Sequence, residues 1–165
     1  MPDVYVIGDA NVDIIVPYPR FLNEERTLVD YPNPELVGGG TSANTAVALA
    51  KLGLPVSFLG TIGDDQYGKY IQKDFAEQGV DTTDLIVDPA LNTVGVFAFI
   101  DENGERYLWG WPRVDQAFKV LERDKVPFEK IEAADWVHSS GMSLVYDTSA
   151  RTEIIEIFKK AYEAG

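Results

Sequence analysis

A chain of 165 residues with 45% apolar, 12% aromatic and 25% charged content can bury one continuous core as a single domain, which excludes the disordered, collagenous and membrane-spanning classes. Its formal net charge of −13 repels polyanions, and its fourteen Lys and Arg residues are scattered rather than gathered into a stripe, so nucleic acid is excluded as a partner. With no cysteine, no basic leader and no apolar run of transmembrane length, the expected setting is the cytoplasm, with no membrane partner.

Residues 4–7 form an apolar run closed by Gly8, and a second run at 14–16 follows a polar break. This predicts a buried strand whose end carries polar groups. Residues 17–40 are rich in Pro, Asn and charge and read as an excursion with one strand at 27–31. Three glycines, Gly38 to Gly40, then lead into a helix over 44–52 with Thr41 and Ser42 as capping candidates and Gly53 as its stop. A strand at 55–59 precedes a helix capped by Asp64 or Asp65, with Tyr67, Tyr70, Ile71 and Phe75 on one face and Gly79 at its end.

After a short strand at 85–87, apolar runs at 94–100 and 106–111 flank Asp101-Glu102-Asn103-Gly104, a strong β-hairpin signal. Period-two geometry puts Tyr107, Trp109 and Trp111 on one face of the second strand. A strand at 135–139 and a helix over 148–164, capped by Asp147 with Ile154, Ile155, Phe158, Ala161 and Tyr162 inward, complete the series. Alternating strands and helices predict a mainly parallel sheet with helices on its faces. A last helix that meets Gly165 with no returning strand reads as a chain cut at a helix–strand junction.

Two constellations carry candidate chemistry. Asn11 and Asp13 stand where the first strand runs out, the place where open α/β sheets line a ligand crevice, although short polar side chains also serve simple turns. Gly38 to Asn44 lets backbone approach a ligand and offers the unpaired amides of a helix start. Gly38, Gly40 and Ala43 also spell a dinucleotide-type G-x-G-x-x-A string, but Pro32 and Pro34 speak against the buried strand that motif requires upstream.

Together, Asn11-x-Asp13, Gly39-Gly40-Thr41-Ser42-Ala43-Asn44, Leu52-Gly53 and Gly60-x-x-Gly63-Asp64-Asp65-x-x-Gly68 resemble the N-terminal signature of ribokinase-like (PfkB) sugar kinases. The likeness extends through the Asn-Gly hairpin to 135–141 and so covers nearly the whole chain. Ser42 stands where the family's signature usually has Gly, Ala or Pro and is small enough to leave the fold reading intact, whereas the family's second signature, with its catalytic base and anion hole, has no counterpart.

The resemblance implies a three-layer α/β fold with a small β-sheet lid over segments of about 17–37 and 94–112, the whole of 1–165 being a substrate-binding portion truncated after the N-terminal half. It implies sugar contacts at Asn11, Asp13, Gly39, Gly40, Thr41 and Asn44, and lid aromatics Phe97, Phe99, Tyr107, Trp109 and Trp111 as candidates to cover the sugar. It further implies ATP and Mg²⁺ for the full-length enzyme but neither bound by this chain alone, no catalytic residue or metal site here, and a homodimer built through the lid. Arg106 and Arg113 read first as solvated lid residues and second as partners for an acidic sugar. His138 reads as structural. A non-enzymatic binding or oligomerisation module stays open as an alternative, with a dinucleotide-binding domain behind it.

Overall fold

The computed structural model describes residues 4–17 and 33–165. Three parallel strands, β1 (Val4–Ile7), β4 (Val56–Leu59) and β9 (Trp136–Ser139), form a central sheet in the order β4-β1-β9. Every residue of β1 is buried, so both of its faces are covered, as a parallel sheet demands. Val4 and Val6 point towards α1 (Thr41–Lys51) and α2 (Gln66–Gln78), packing with Ala46, Phe58, Ile71 and Phe75. Tyr5 and Ile7 point the other way, against α3 (Phe128–Glu132) and α4 (Ser149–Ala164), among Ile131, Ile154 and Ile157. The predicted α/β layering is observed.

A second sheet, in the order β3-β2-β7-β8, stands beside the first. It comprises β2 (Asn11–Pro17), β3 (Glu35–Gly39), β7 (Gly95–Ile100) and β8 (Arg106–Trp111). Here the expected single opening strand is corrected: Gly8, at φ 143°, breaks it, and Asn11 and Asp13 lie within β2 rather than at a strand's loose end. A Cβ at Gly8 would collide with the hydroxyls of Ser42 and Ser143, so a side chain there is excluded by packing as well as by backbone conformation. The strand expected at 27–31 lies outside the described residues. The hairpin forms as expected, with Gly104 at φ 81° and the Asp101 side chain accepting from the amides of Asn103 and Glu105. A short parallel pair, β5 (Thr61–Gly63) and β6 (Ile86–Asp88), completes the strands.

The helix starts differ from expectation at α1 and α4, whereas α2 is capped by one of the two expected residues. Helix α1 begins at Thr41, three residues early, and its N-cap position is Gly40, which has no side chain to cap with. Asp9, from the end of β1, supplies the cap across 32 residues of sequence: Oδ2 accepts from the Thr41 amide at 2.7 Å and Oδ1 from the Ser42 amide at 3.2 Å. Helix α2 is capped by Asp65, which accepts from Gly68 N and, with its other oxygen, from Thr93 N. Helix α4 is capped by Thr148 rather than Asp147.

The inward face of α4 is also corrected. Ala150, Ile154 and Ile157 are buried, whereas Ile155, Phe158 and Tyr162 are exposed. The helix carries two apolar stripes, and only the one facing Tyr5, Ile7 and Leu121 is covered.

Asp9 is 5% exposed and also accepts from the hydroxyls of Ser42 and Ser140 at 2.9 Å each. Asp9→Ala would leave two helix-start amides and the buried hydroxyls of Ser42, Ser140 and Ser143 without this acceptor, so it is expected to destabilise the protein by about 3 kcal/mol with an unchanged urea m-value. Urea unfolding checks this; a loss below about 1 kcal/mol would show that water replaces the carboxyl group.

Candidate functional site

The two strands that leave β1 and enter α1 bring the predicted residues together. Gly39 pairs with Asn11 across the β2–β3 ladder, and a Cβ on Gly39 would lie 2.5 Å from Asp13 Oδ1 and 2.7 Å from Asn11 Nδ2. Gly40, at φ 100°, passes so close to Asp9, Ala10 and Asn11 that its Cβ would meet backbone 2.7 Å away. The two glycines are therefore required by contact, and the polar ends of Asn11 and Asp13 lie against bare backbone. Asn11 Nδ2 donates to Asp13 Oδ1 at 2.8 Å.

Burial pushes the Asp13 carboxyl above its usual range, opposed by the Asn11 hydrogen bond and the positive field of Arg106. Thr41 and Asn44 share the exposed side of the first turn of α1, next to Gly40. The expectation of unpaired helix-start amides is corrected: Thr41 and Ser42 donate to the Asp9 side chain, Ala43 to the Asp9 carbonyl at 3.1 Å, and Asn44 to the Gly40 carbonyl at 2.8 Å. A fixed carboxyl already occupies the place where a ligand phosphate would sit.

Asn11 also lines a cavity of about 370 Å³, within the size range of small-molecule sites, whereas Asp13, Gly39, Gly40, Thr41 and Asn44 are not among its lining residues. Asp9 and Asn11 form one end, and Val94, Val96 and Gly110 of the β7–β8 region form a wall. Arg113, Gln116, Phe118 and Lys119 follow the hairpin, and Met142 and Tyr146 follow β9. Gln116 is anchored by donating to the Pro112 carbonyl at 2.8 Å. Sequence reading missed Asp9, Val96, Gly110, Gln116, Phe118, Lys119, Met142 and Tyr146, and ranked Arg113 as a solvated residue. They come from loops and strand positions that only tertiary packing brings together.

The lid aromatics sit elsewhere. Asp13 pairs with Val96, which pairs with Gly110, so these three share one face of the second sheet. Ile14, Phe97 and Trp109 align in the same way on the opposite face, and alternation places Phe99, Tyr107 and Trp111 there too. Phe97 then packs into the core beside α2, while Tyr107, Trp109 and Trp111 are 68%, 48% and 53% exposed. Trp109 packs on Phe97 and Trp111, with ring centroids 5.8 and 5.9 Å apart. Strand alternation implies that some of these candidate rings face a partner or solvent; all five lie on the face of the sheet opposite Asp13. His138, in β9, has no place in the cavity.

The dinucleotide reading meets two obstacles. The strand before the glycines, β3, is an antiparallel neighbour of β2 and, among the described residues, the outermost strand of the small sheet, and the amides that would hold a pyrophosphate are taken by Asp9. Among the described residues no three His, Cys, Asp or Glu side chains are grouped to hold a metal ion.

The model of the pfkB family of carbohydrate kinases matches residues 1–165. The chain belongs to this family. It is 35% identical to a fructokinase of Vibrio alginolyticus over 167 residues, covering 100% of this chain and 48% of that protein. It is 42% identical to a 5-dehydro-2-deoxygluconokinase of Bacillus subtilis over 149 residues, covering 89% and 44%. The fold matches the crystal structure of a fructokinase with bound ATP from Xylella fastidiosa with a TM-score of 0.83, at 24% identity, over 100% of this chain and 50% of that one. The chain thus spans about half the length of the pfkB relatives it matches.

A raised Asp13 pKa means that its ionised form is less favoured in the folded than in the unfolded protein. The resulting penalty is absent well below the ordinary value of 3.8, grows as pH rises from there to the raised native value, and persists above it. Asp13→Asn is therefore expected to raise the melting temperature at pH 7 and to leave it nearly unchanged at pH 3. Thermal unfolding at the two pH values checks this, and a lower melting temperature at pH 7 would contradict it.

Proposed function

We propose that this chain is the sugar-holding portion of an ATP-dependent carbohydrate kinase that transfers the γ-phosphoryl group of ATP to a sugar hydroxyl. The observation that carries the reading is the convergence of Asn11, Asp13, Gly39 and Gly40 near the carboxyl end of β1, beside a monosaccharide-sized cavity that Asn11 lines. Asp13 accepts hydrogen bonds from sugar hydroxyls, Asn11 orients it while offering its own carbonyl, and Thr41 and Asn44 extend the polar rim from α1. The wall of Val94, Val96 and Gly110 supplies the apolar side and, as part of the lid sheet, keeps water from the reacting hydroxyl.

Fructokinase and 5-dehydro-2-deoxygluconokinase relatives support a sugar or sugar-derived substrate. ATP and Mg²⁺ belong, on this reading, to residues outside 1–165. The chain alone binds and shields but does not transfer, and a cytoplasmic setting suits a cysteine-free kinase portion.

Calorimetric titration of the natural polypeptide containing this chain with fructose, ribose and gluconate tests the reading. At least one is expected to bind, and Asp13→Ala to weaken it by about tenfold or more, as loss of a hydrogen bond to a charged group implies. Binding that is indifferent to Asp13 would overturn the proposal.

A second role is favoured by the exposed rings of Tyr107, Trp109 and Trp111, an apolar ladder on a sheet face turned away from the cavity. We assign to it a homodimer contact through the lid, compatible with sugar binding because the two functions use opposite faces. Sedimentation is expected to show a dimer that Trp109→Glu converts to monomer; a monomeric parent protein would remove this role.

A further inference from the structure

Glycine weakens the interior of a strand, because it loses more chain freedom on folding than any other residue and brings no side chain to pack. Where it stands there, it marks a bulge, a backbone conformation closed to other residues, or a close approach by another backbone or a ligand. Gly110, in β8, meets none of the first three descriptions. The pairing of β7 with β8 runs unbroken from Phe97 with Trp109 through Val96 with Gly110 to Gly95 with Trp111, which excludes a bulge. Gly110 is absent from the glycines with positive φ, so its backbone suits any residue. A Cβ on it would have Val94 Cγ1 as its nearest neighbour, at 3.6 Å, an ordinary contact. At the other strand glycines, Gly38, Gly39, Gly63 and Gly95, a Cβ would come within 2.4, 2.5, 2.5 and 2.7 Å of a neighbouring atom. Among the described residues Gly141 alone shares the freedom of Gly110, and it is exposed in a short turn outside the strands.

The space left by the missing side chain belongs to the cavity. Gly110 shares a face of the small sheet with Val96 and Asp13, and it lines the cavity together with Val94 and Val96. Along β8 the same face carries side chains at Arg106 and Leu108 and loses them at the position that meets the cavity. The backbone at this point is fixed. Strand β7 holds it on one side, and the segment that follows is tied down by the Asn92 amide donating to the Asp115 carbonyl at 2.7 Å and the Ala117 amide donating to the Asn92 carbonyl at 2.9 Å. A side chain at 110 would therefore take volume from the cavity rather than push its wall back.

Resting on the sugar-holding reading, we propose that Gly110 sets the size of the sugar that this cavity admits. The sugar packs a C–H face directly on the bare peptide of β8, in space that any other residue would fill. Val94 and Val96 flank that contact with methyl groups, so this wall reads shape, while Asn11 at the end of the cavity reads hydroxyl groups. Each carbon placed on residue 110 excludes a corresponding part of the substrate.

The test titrates D-fructose, D-gluconate, D-ribose and D-erythrose calorimetrically into the natural polypeptide containing this chain and into its variants. Gly110→Ala is expected to weaken the largest sugar that binds the parent by about fivefold and Gly110→Val by about fiftyfold, with smaller losses for any shorter sugar, so that selectivity moves towards short substrates. Both variants should melt no lower than the parent, because either residue suits a strand better than Gly. Should the Val variant fold poorly, the Ala variant carries the test alone. Leu108→Ala, on the same strand face but outside the cavity, should leave every affinity unchanged. Asp13-dependent binding that stays within about twofold in the Gly110 variants would overturn the inference while the sugar-holding reading stands. So would a loss equal for sugars of every length, a loss reproduced by Leu108→Ala, or one seen only with a lowered melting temperature. No binding of any of the four sugars by the parent, or binding untouched by Asp13→Ala, would overturn both.

Discussion

The Asp9 carboxyl group is the joint on which the rest of the site depends. It sits just past the end of β1, in a chain bend that only Gly8 can make, and gathers donors from the start of α1 and from Ser140, after β9. A buried acidic group is tolerable only where donors surround it, and here the donors are the amides a helix start leaves unpaired. One interaction thus caps a helix, joins it to the central sheet and fixes the direction in which Gly39 and Gly40 cross the ends of Asn11 and Asp13. Asp65 does the same for α2 and Thr93, so two helices of this fold are started by carboxyl groups that also tie down a neighbouring segment.

The small sheet gains two surfaces from a single alternation. Residues in step with Asp13 (Val96 and Gly110) face the cavity, and residues in step with Ile14 (Phe97 and Trp109) face away. Small and aliphatic groups therefore meet the cavity, and large rings are left for the core beside α2 and for the reverse of the sheet. A one-residue slip in the β7–β8 pairing would exchange the two sets and fill the cavity with indole. The Asp101 side chain, which fixes the hairpin turn, guards the site against that slip at a distance.

Much of the fold was legible in the sequence because its signals are local. Gly79 after an amphipathic run, Asn103-Gly104 between two apolar runs, and the apolar β1 and β4 segments each state their own structure. The Asn11, Asp13 and Gly39-Gly40 constellation was readable only through its resemblance to the family's signature, since from position alone it reads as well as a polar turn and a tight connection. What could not be read depended on distant partners. Asp9 looks like a turn residue until α1 is laid against it, the edge strand β3 hides behind Pro32 and Pro34, and the two apolar stripes of α4 are equivalent until the sheet covers one. The common face of Tyr107, Trp109 and Trp111 followed from period two, but which side that face looks to is set by the pairing of β7 with β2. Lys119 and Tyr146 lie 27 positions apart and meet only because the segments after β8 and β9 wall the same cavity.

The central claim is that a sugar lies on the Asp13 side of the small sheet, and a crystal structure of the sugar-bound protein tests it most directly. The account predicts a ring or chain seated against Val96 and Gly110, with hydroxyl oxygens about 2.6–3.2 Å from Asp13 and Asn11 and no ligand on the indoles of Trp109 and Trp111. A sugar stacked on those indoles, with Asp13 still bonded only to Asn11, would contradict it.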